Sequence, residues 1–123
     1  MKFSIVLFFV ILSFNLFGQD GDKYYSINTN KEKLAIFKQN GDYSFQLLDN
    51  YTDEIVKTNS KYYAMYFSVE FDEVKKELKL KMITNDEQSR HVICRYFSAL
   101  NINKINIDGK EYELENFYQL YLK

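Results

Sequence analysis

The sequence predicts an α+β domain: an antiparallel sheet of about five to seven strands, one amphipathic helix packed on one face, and a short C-terminal helix. Three observations carry this. Tyr63, Met65, Phe67, Val69 and Phe71 alternate with Tyr62, Ala64, Tyr66, Ser68 and Glu70, and Leu78, Leu80 and Met82 answer them after a charged turn within Asp72 to Glu77. From Thr84 the period changes, and Val92, Ile93, Tyr96, Phe97 and Leu100 fall on one side of a helix. Asn40-Gly41 and Asp108-Gly109 each stand between alternating runs, the strongest short hairpin signal, because both turn residues must accept positive φ.

In chain order, Lys2 and an uncharged, mostly apolar run from Phe3 to Phe17 precede Gly18, Gln19 and a polar stretch from Asp20. A positive start, a short apolar middle and a small final residue describe a secretory signal peptide. The run is interrupted by Ser4, Ser13 and Asn15 and is shorter than the roughly 20 apolar residues a membrane-spanning helix needs. The expectation is therefore a leader over residues 1–18, cut after Gly18, and a single domain over residues 19–123 with no membrane span. This leader resembles those of Gram-negative exported proteins that end in a small residue followed by glutamine. The resemblance covers about 19 residues and implies an address, periplasmic or extracellular. No cysteine follows the apolar run to take a lipid.

Asp20 to Asn30 is polar apart from Tyr24, Tyr25 and Ile27, and reads as an irregular start ending in a short strand. Lys33–Gln39 and Asp42–Leu48 then read as a hairpin about Asn40-Gly41. A two-residue loop sets Ile36 against Phe45 and Leu34 against Leu47, so the apolar residues share a face. The competing reading is a helix from Thr29, whose spacing to Glu32 fits a capping box. Asp49 to Ser60 reads as a loop with a short edge strand at Ile55 and Val56. Thr84 and Glu87 have capping-box spacing before the amphipathic run, which should end near Leu100 to Asn103. In the last hairpin Ile105 faces Tyr112 and Ile107 faces Lys110. The tail suits either a helix face (Leu114, Phe117, Tyr118, Tyr121) or a strand (Tyr118, Leu120, Leu122), and the helix is preferred.

Composition limits function. The chain has 123 residues and a net charge of -1, which gives no electrostatic reason to bind nucleic acid or an anionic membrane. A domain of this size buries roughly two thirds of its unfolded surface and needs no staple. Its one cysteine makes no internal disulfide. No phosphate loop, dinucleotide fingerprint, nucleophile elbow or calcium loop is present, and no cofactor is implied.

Two residue sets raise a chemical question. Glu87, His91 and Cys94 are spaced by four and three, so they line up on one helix face, nearly opposite the apolar stripe and hence outward. Such a trio offers a metal such as zinc three of its usual ligand types, or an activated thiolate beside a protonated imidazole. The plainer reading is a solvated helix face. An exposed Cys94 would also allow a disulfide-linked dimer in place of a monomer, whereas a partly buried one is inert. The second set is Tyr62 and Tyr66, projecting from the central strand away from its apolar face, where rings can anchor a protein or stack on a carbohydrate. The functional expectation is a small exported, non-enzymatic binding or protein-interaction module. The alternatives are a metal-binding or thiol-active protein using Glu87, His91 and Cys94, and an inhibitor or immunity-type protein.

Overall fold

The computed structural model describes residues 25–123. The leader expected over residues 1–18, the expected cut after Gly18 and Tyr24 lie outside the described residues. The class is α+β, but among the described residues six strands divide into two three-stranded sheets with four α-helices, in place of one broad sheet under a single helix. One sheet has the order β1 (Tyr25–Thr29), β5 (Ile102–Ile107), β6 (Lys110–Glu113), with β1 parallel and β6 antiparallel to β5. The other has the order β2 (Asp42–Gln46), β4 (Glu77–Met82), β3 (Phe67–Asp72), antiparallel throughout. The sheets meet where β1 comes beside β2.

The largest correction falls on residues 31–40, which form helix α1 (Lys31–Asn40) and not a hairpin arm. The Asn30 side chain caps it, accepting from Lys33 N at 2.8 Å. Gly41, at φ 78°, ends it with its N–H on Phe37 O at 2.7 Å. A glycine with positive φ serves a helix C-terminus as well as a hairpin, so Asn40-Gly41 marks a reversal without saying what precedes it. Leu34 is buried while Ile36 is 52 % exposed, which is helical and not strand spacing. The strand partner of β2 is accordingly β4, setting Tyr43 against Leu80 and Phe45 against Leu78.

Residues 53–60 are likewise helical (α2, Asp53–Ser60), capped by the Thr52 side chain, which accepts from Ile55 N at 3.3 Å, and they bury Val56. The long central strand is shorter than its alternation implied. Lys61–Tyr63 form a 3₁₀ turn, Tyr66 N bonds Tyr63 O at 2.9 Å, and the strand begins only at Phe67. Helix α3 (Glu87–Ala99) matches expectation and buries Val92, Ile93, Tyr96 and Phe97, but its cap is Asp86, accepting from Ser89 N at 2.7 Å, and not Thr84. The hairpin at Asp108-Gly109 has the expected register, and both residues have positive φ. The tail is helical, α4 (Leu114–Phe117) passing into a π-helical turn over Tyr118–Leu122.

Helix α3 is the hub of the core. Phe97 meets Phe45 edge-on at 5.0 Å, and Tyr96 meets Phe67 at 5.7 Å and Tyr63 at 5.3 Å. Phe117 reaches Phe97 from the tail at 6.5 Å. Tyr51, unplaced by the sequence, is buried, with its hydroxyl donating to Leu100 O at the end of α3. Among the described residues no helix is long and apolar enough to cross a membrane.

Candidate functional site

The line Glu87, His91 and Cys94 is on one face of α3 as the spacing required, but its exposure is graded: Glu87 is exposed, His91 half-buried and Cys94 buried. The C-terminal segment lies along it and engages each residue separately. Tyr118 donates from its hydroxyl to Glu87 Oε1 at 3.0 Å, and its ring stacks on His91 at 3.8 Å. His91 Nε2 meets Glu115 Oε2 at 3.1 Å, and Cys94 Sγ donates to Leu114 O at 3.5 Å. Arg90 extends the strip, its Nε donating to Leu122 O at 2.5 Å and Nη1 to Asn85 O at 2.9 Å. The outward placement holds for Glu87 and in part for His91 and is corrected for Cys94: the periodicity positions the face, but only the tail's docking decides what it covers.

The chemistry follows from this cover. Burial pushes the Cys94 thiol up to about 12, with Glu115 adding to the shift, so it is held as a neutral thiol, opposite to an activated thiolate. The Glu115 carboxyl is held below its usual range by bonds from Gln119 and His91. Among the described residues no three histidine, cysteine or carboxylate side chains gather to hold a metal ion. The strip fastens the tail, mixing a ring stack, an acid–imidazole bond, a hydroxyl–carboxylate bond and bonds to the main-chain carbonyls of Leu114, Leu122 and Lys123.

The other candidate surface is at the start of β3. Tyr62, 80 % exposed, is in the 3₁₀ turn Lys61–Tyr63, and Met65, 76 % exposed, is in the next turn, which the Tyr66 N to Tyr63 O bond closes. Ile83, 63 % exposed, donates its N–H to Tyr66 O at 3.0 Å and so joins them from the end of β4. Tyr66 is half-buried, with part of its ring packed on the core. The structure thus brings Tyr62 and Tyr66 to one corner, but on a turn and not on a strand face. Met65 was expected inside and Ile83 was not singled out. The signal available was the strand's length: alternation over Tyr62–Phe71 treats Met65 as a core position, and only the turn reverses it.

Beside this corner the outer face of β2-β4-β3 is uncovered. Two cross-strand rows, Asp42, Lys81 and Ser68, then Ser44, Lys79 and Glu70, line a shallow depression of about 380 Å³. Carboxylates and ammonium groups face one another across strands there, which suits a hydrated polar contact surface. No known protein family, curated protein or solved structure matches the chain.

Proposed function

We propose that the chain is a small exported, non-enzymatic binding module of the periplasm or cell exterior, and that it meets a protein or carbohydrate partner with the corner built by Tyr62, Met65, Tyr66 and Ile83. The observation that carries this is the exposure of three large apolar side chains, Tyr62 and Met65 on two successive turns and Ile83 at the strand end bonded to Tyr66. Folding gains nothing from leaving such groups in water, and a patch of this kind is what a partner's surface desolvates. Tyrosine suits the role because its stiff ring buries a large area at little entropic cost while its hydroxyl bonds to the partner. The address rests on the leader over residues 1–18.

The test compares what the protein and its Tyr62→Ala, Tyr66→Ala and Met65→Ala variants retain from the envelope and culture medium of the producing cells. The reading expects Tyr62→Ala and Met65→Ala to fold as the parent does and to lose the retained partner. Unchanged retention by the folded Tyr62→Ala and Met65→Ala variants overturns it.

A further inference from the structure

The open edge of β3 has a chemistry that points to one kind of partner. Antiparallel strands turn successive backbone groups to alternate sides. Leu47 N bonds Lys76 O at 2.8 Å and Met82 N bonds Gly41 O at 2.9 Å, so even-numbered residues of β4 direct their backbone groups to β2. Ile83 N bonds Tyr66 O at 3.0 Å, so odd-numbered ones face β3. With Ser68 opposite Lys81 and Glu70 opposite Lys79, the N–H and C=O groups of Val69 and Phe71 are turned away from β4, towards the edge. Phe67, at the strand's start, is fully covered, with Tyr63 stacked on it, whereas Val69 and Phe71 are half-exposed. The free edge therefore opens at Val69 and runs to the β3–β4 turn.

Charge selects what can pair there. Glu70, Asp72 and Glu77, with Lys79, line a second depression of about 280 Å³ beside Phe71. Lys79, the one cation in that lining, is already 3.4 Å from Glu77. A second copy pairing antiparallel through the exposed stretch, Val69 against Phe71, would set Glu70 directly against its own counterpart, and like charges so placed are destabilising. The edge is thus guarded against itself.

We propose that β3 is extended by a strand from a different polypeptide, an extended segment alternating basic and apolar residues. Its backbone pairs with Val69 and Phe71, its cations lie over Glu70 and Asp72, and its apolar residues cover the half-exposed sides of Val69 and Phe71. This deepens the reading above, since β3 starts at the Tyr62 corner, but it depends on different residues.

The probes are two short, end-blocked peptides, one alternating lysine and valine and one alternating glutamate and valine, titrated into protein recovered from cells expressing the full chain. The lysine peptide should slow amide exchange at Val69 and Phe71 and bind about tenfold tighter than the glutamate peptide at low salt, a ratio that shrinks at high salt. Val69→Pro removes the outward N–H, leaves the bonds to β4 in place and should abolish binding. Glu70→Gln, which keeps the strand whatever proline does, should reduce the preference for lysine. Tyr62→Ala should leave peptide binding unchanged. Equal binding of the two peptides, or binding without protection at Val69 and Phe71, overturns the proposal. Binding lost with Tyr62→Ala and kept with Val69→Pro overturns it while sparing the corner. Edge protection in a protein whose corner captures nothing upholds the edge and removes the corner.

Discussion

Tyr43 offers the sharpest test of the packing. Its ring is 1 % exposed and packs on Phe37 at 5.6 Å and Phe45 at 6.1 Å, yet its hydroxyl has no hydrogen-bond partner among the described residues. Burial pushes that hydroxyl up to about 12, against a small opposing pull from Arg90. An unpaired buried hydroxyl costs roughly 1–3 kcal/mol, and Tyr43→Phe removes it while keeping the ring. The substitution should therefore stabilise the fold by about 1 kcal/mol, raising Tm by roughly 4–8 °C in a domain this size. Urea unfolding at neutral pH reads this as a higher midpoint with an unchanged slope. Tyr96→Phe and Tyr51→Phe are the controls, because their hydroxyls donate to Val56 O, at 3.2 Å, and to Leu100 O. Each should lose about 0.5–1.5 kcal/mol and strand a carbonyl. The sign decides: a loss of about 1 kcal/mol for Tyr43→Phe, like its controls, would mean that the Tyr43 hydroxyl is paired in the folded protein.

Gly41→Ala should destabilise by about 1–2 kcal/mol, since φ is 78° and the new Cβ would come 3.4 Å from Asn85 and Met82; Gly109→Ala, with nothing within 4 Å, should cost less in the same melt. The Cys94 thiol should react slowly with a disulfide reagent at mildly alkaline pH and quickly in urea; fast labelling of the native protein would contradict its cover by Leu114. Cys94, Tyr43 and Tyr51 are all raised to about 12 from unfolded values of 9.0 and 10.0, so the unfolded chain ionises first. Their contribution is fully present below about pH 9 and drains as pH rises toward about 12, so alkaline denaturant titration should show falling stability above pH 9, and a flat profile there refutes the burial. At the acid end, the Asp86 carboxyl is held low chiefly by the Ser89 N–H, so its contribution exists above about pH 4 and is lost as pH falls through its depressed value; Asp86→Asn should flatten that limb.

The parts of the fold readable in advance were those where one local pattern has one meaning. Val92, Ile93, Tyr96 and Phe97 form the helix face their spacing predicted, and Asp108-Gly109 the tight hairpin predicted between Ile105–Ile107 and Lys110–Glu113. Residues 31–40 failed because Leu34, Ile36 and Phe37 satisfy two periods over so short a run, and the Asn30 cap that decides between them lies one residue from the Thr29 considered. The second sheet was missed because β1 pairs with β5 in parallel across most of the chain, a contact that leaves no local mark. At the candidate site, Tyr62 was legible as an exposed ring, whereas the fate of Glu87, His91 and Cys94 depended on where Glu115 and Tyr118 dock.

The corner at Tyr62 is the proposed place of partner binding. The most direct measurement replaces Tyr62 with a photo-crosslinking amino acid in the full chain and, separately, Leu120, which is 64 % exposed on the tail. After illumination of intact cells, a discrete higher-mass product is expected from position 62 and none from position 120. No product at 62, or the same product from both positions, would contradict it.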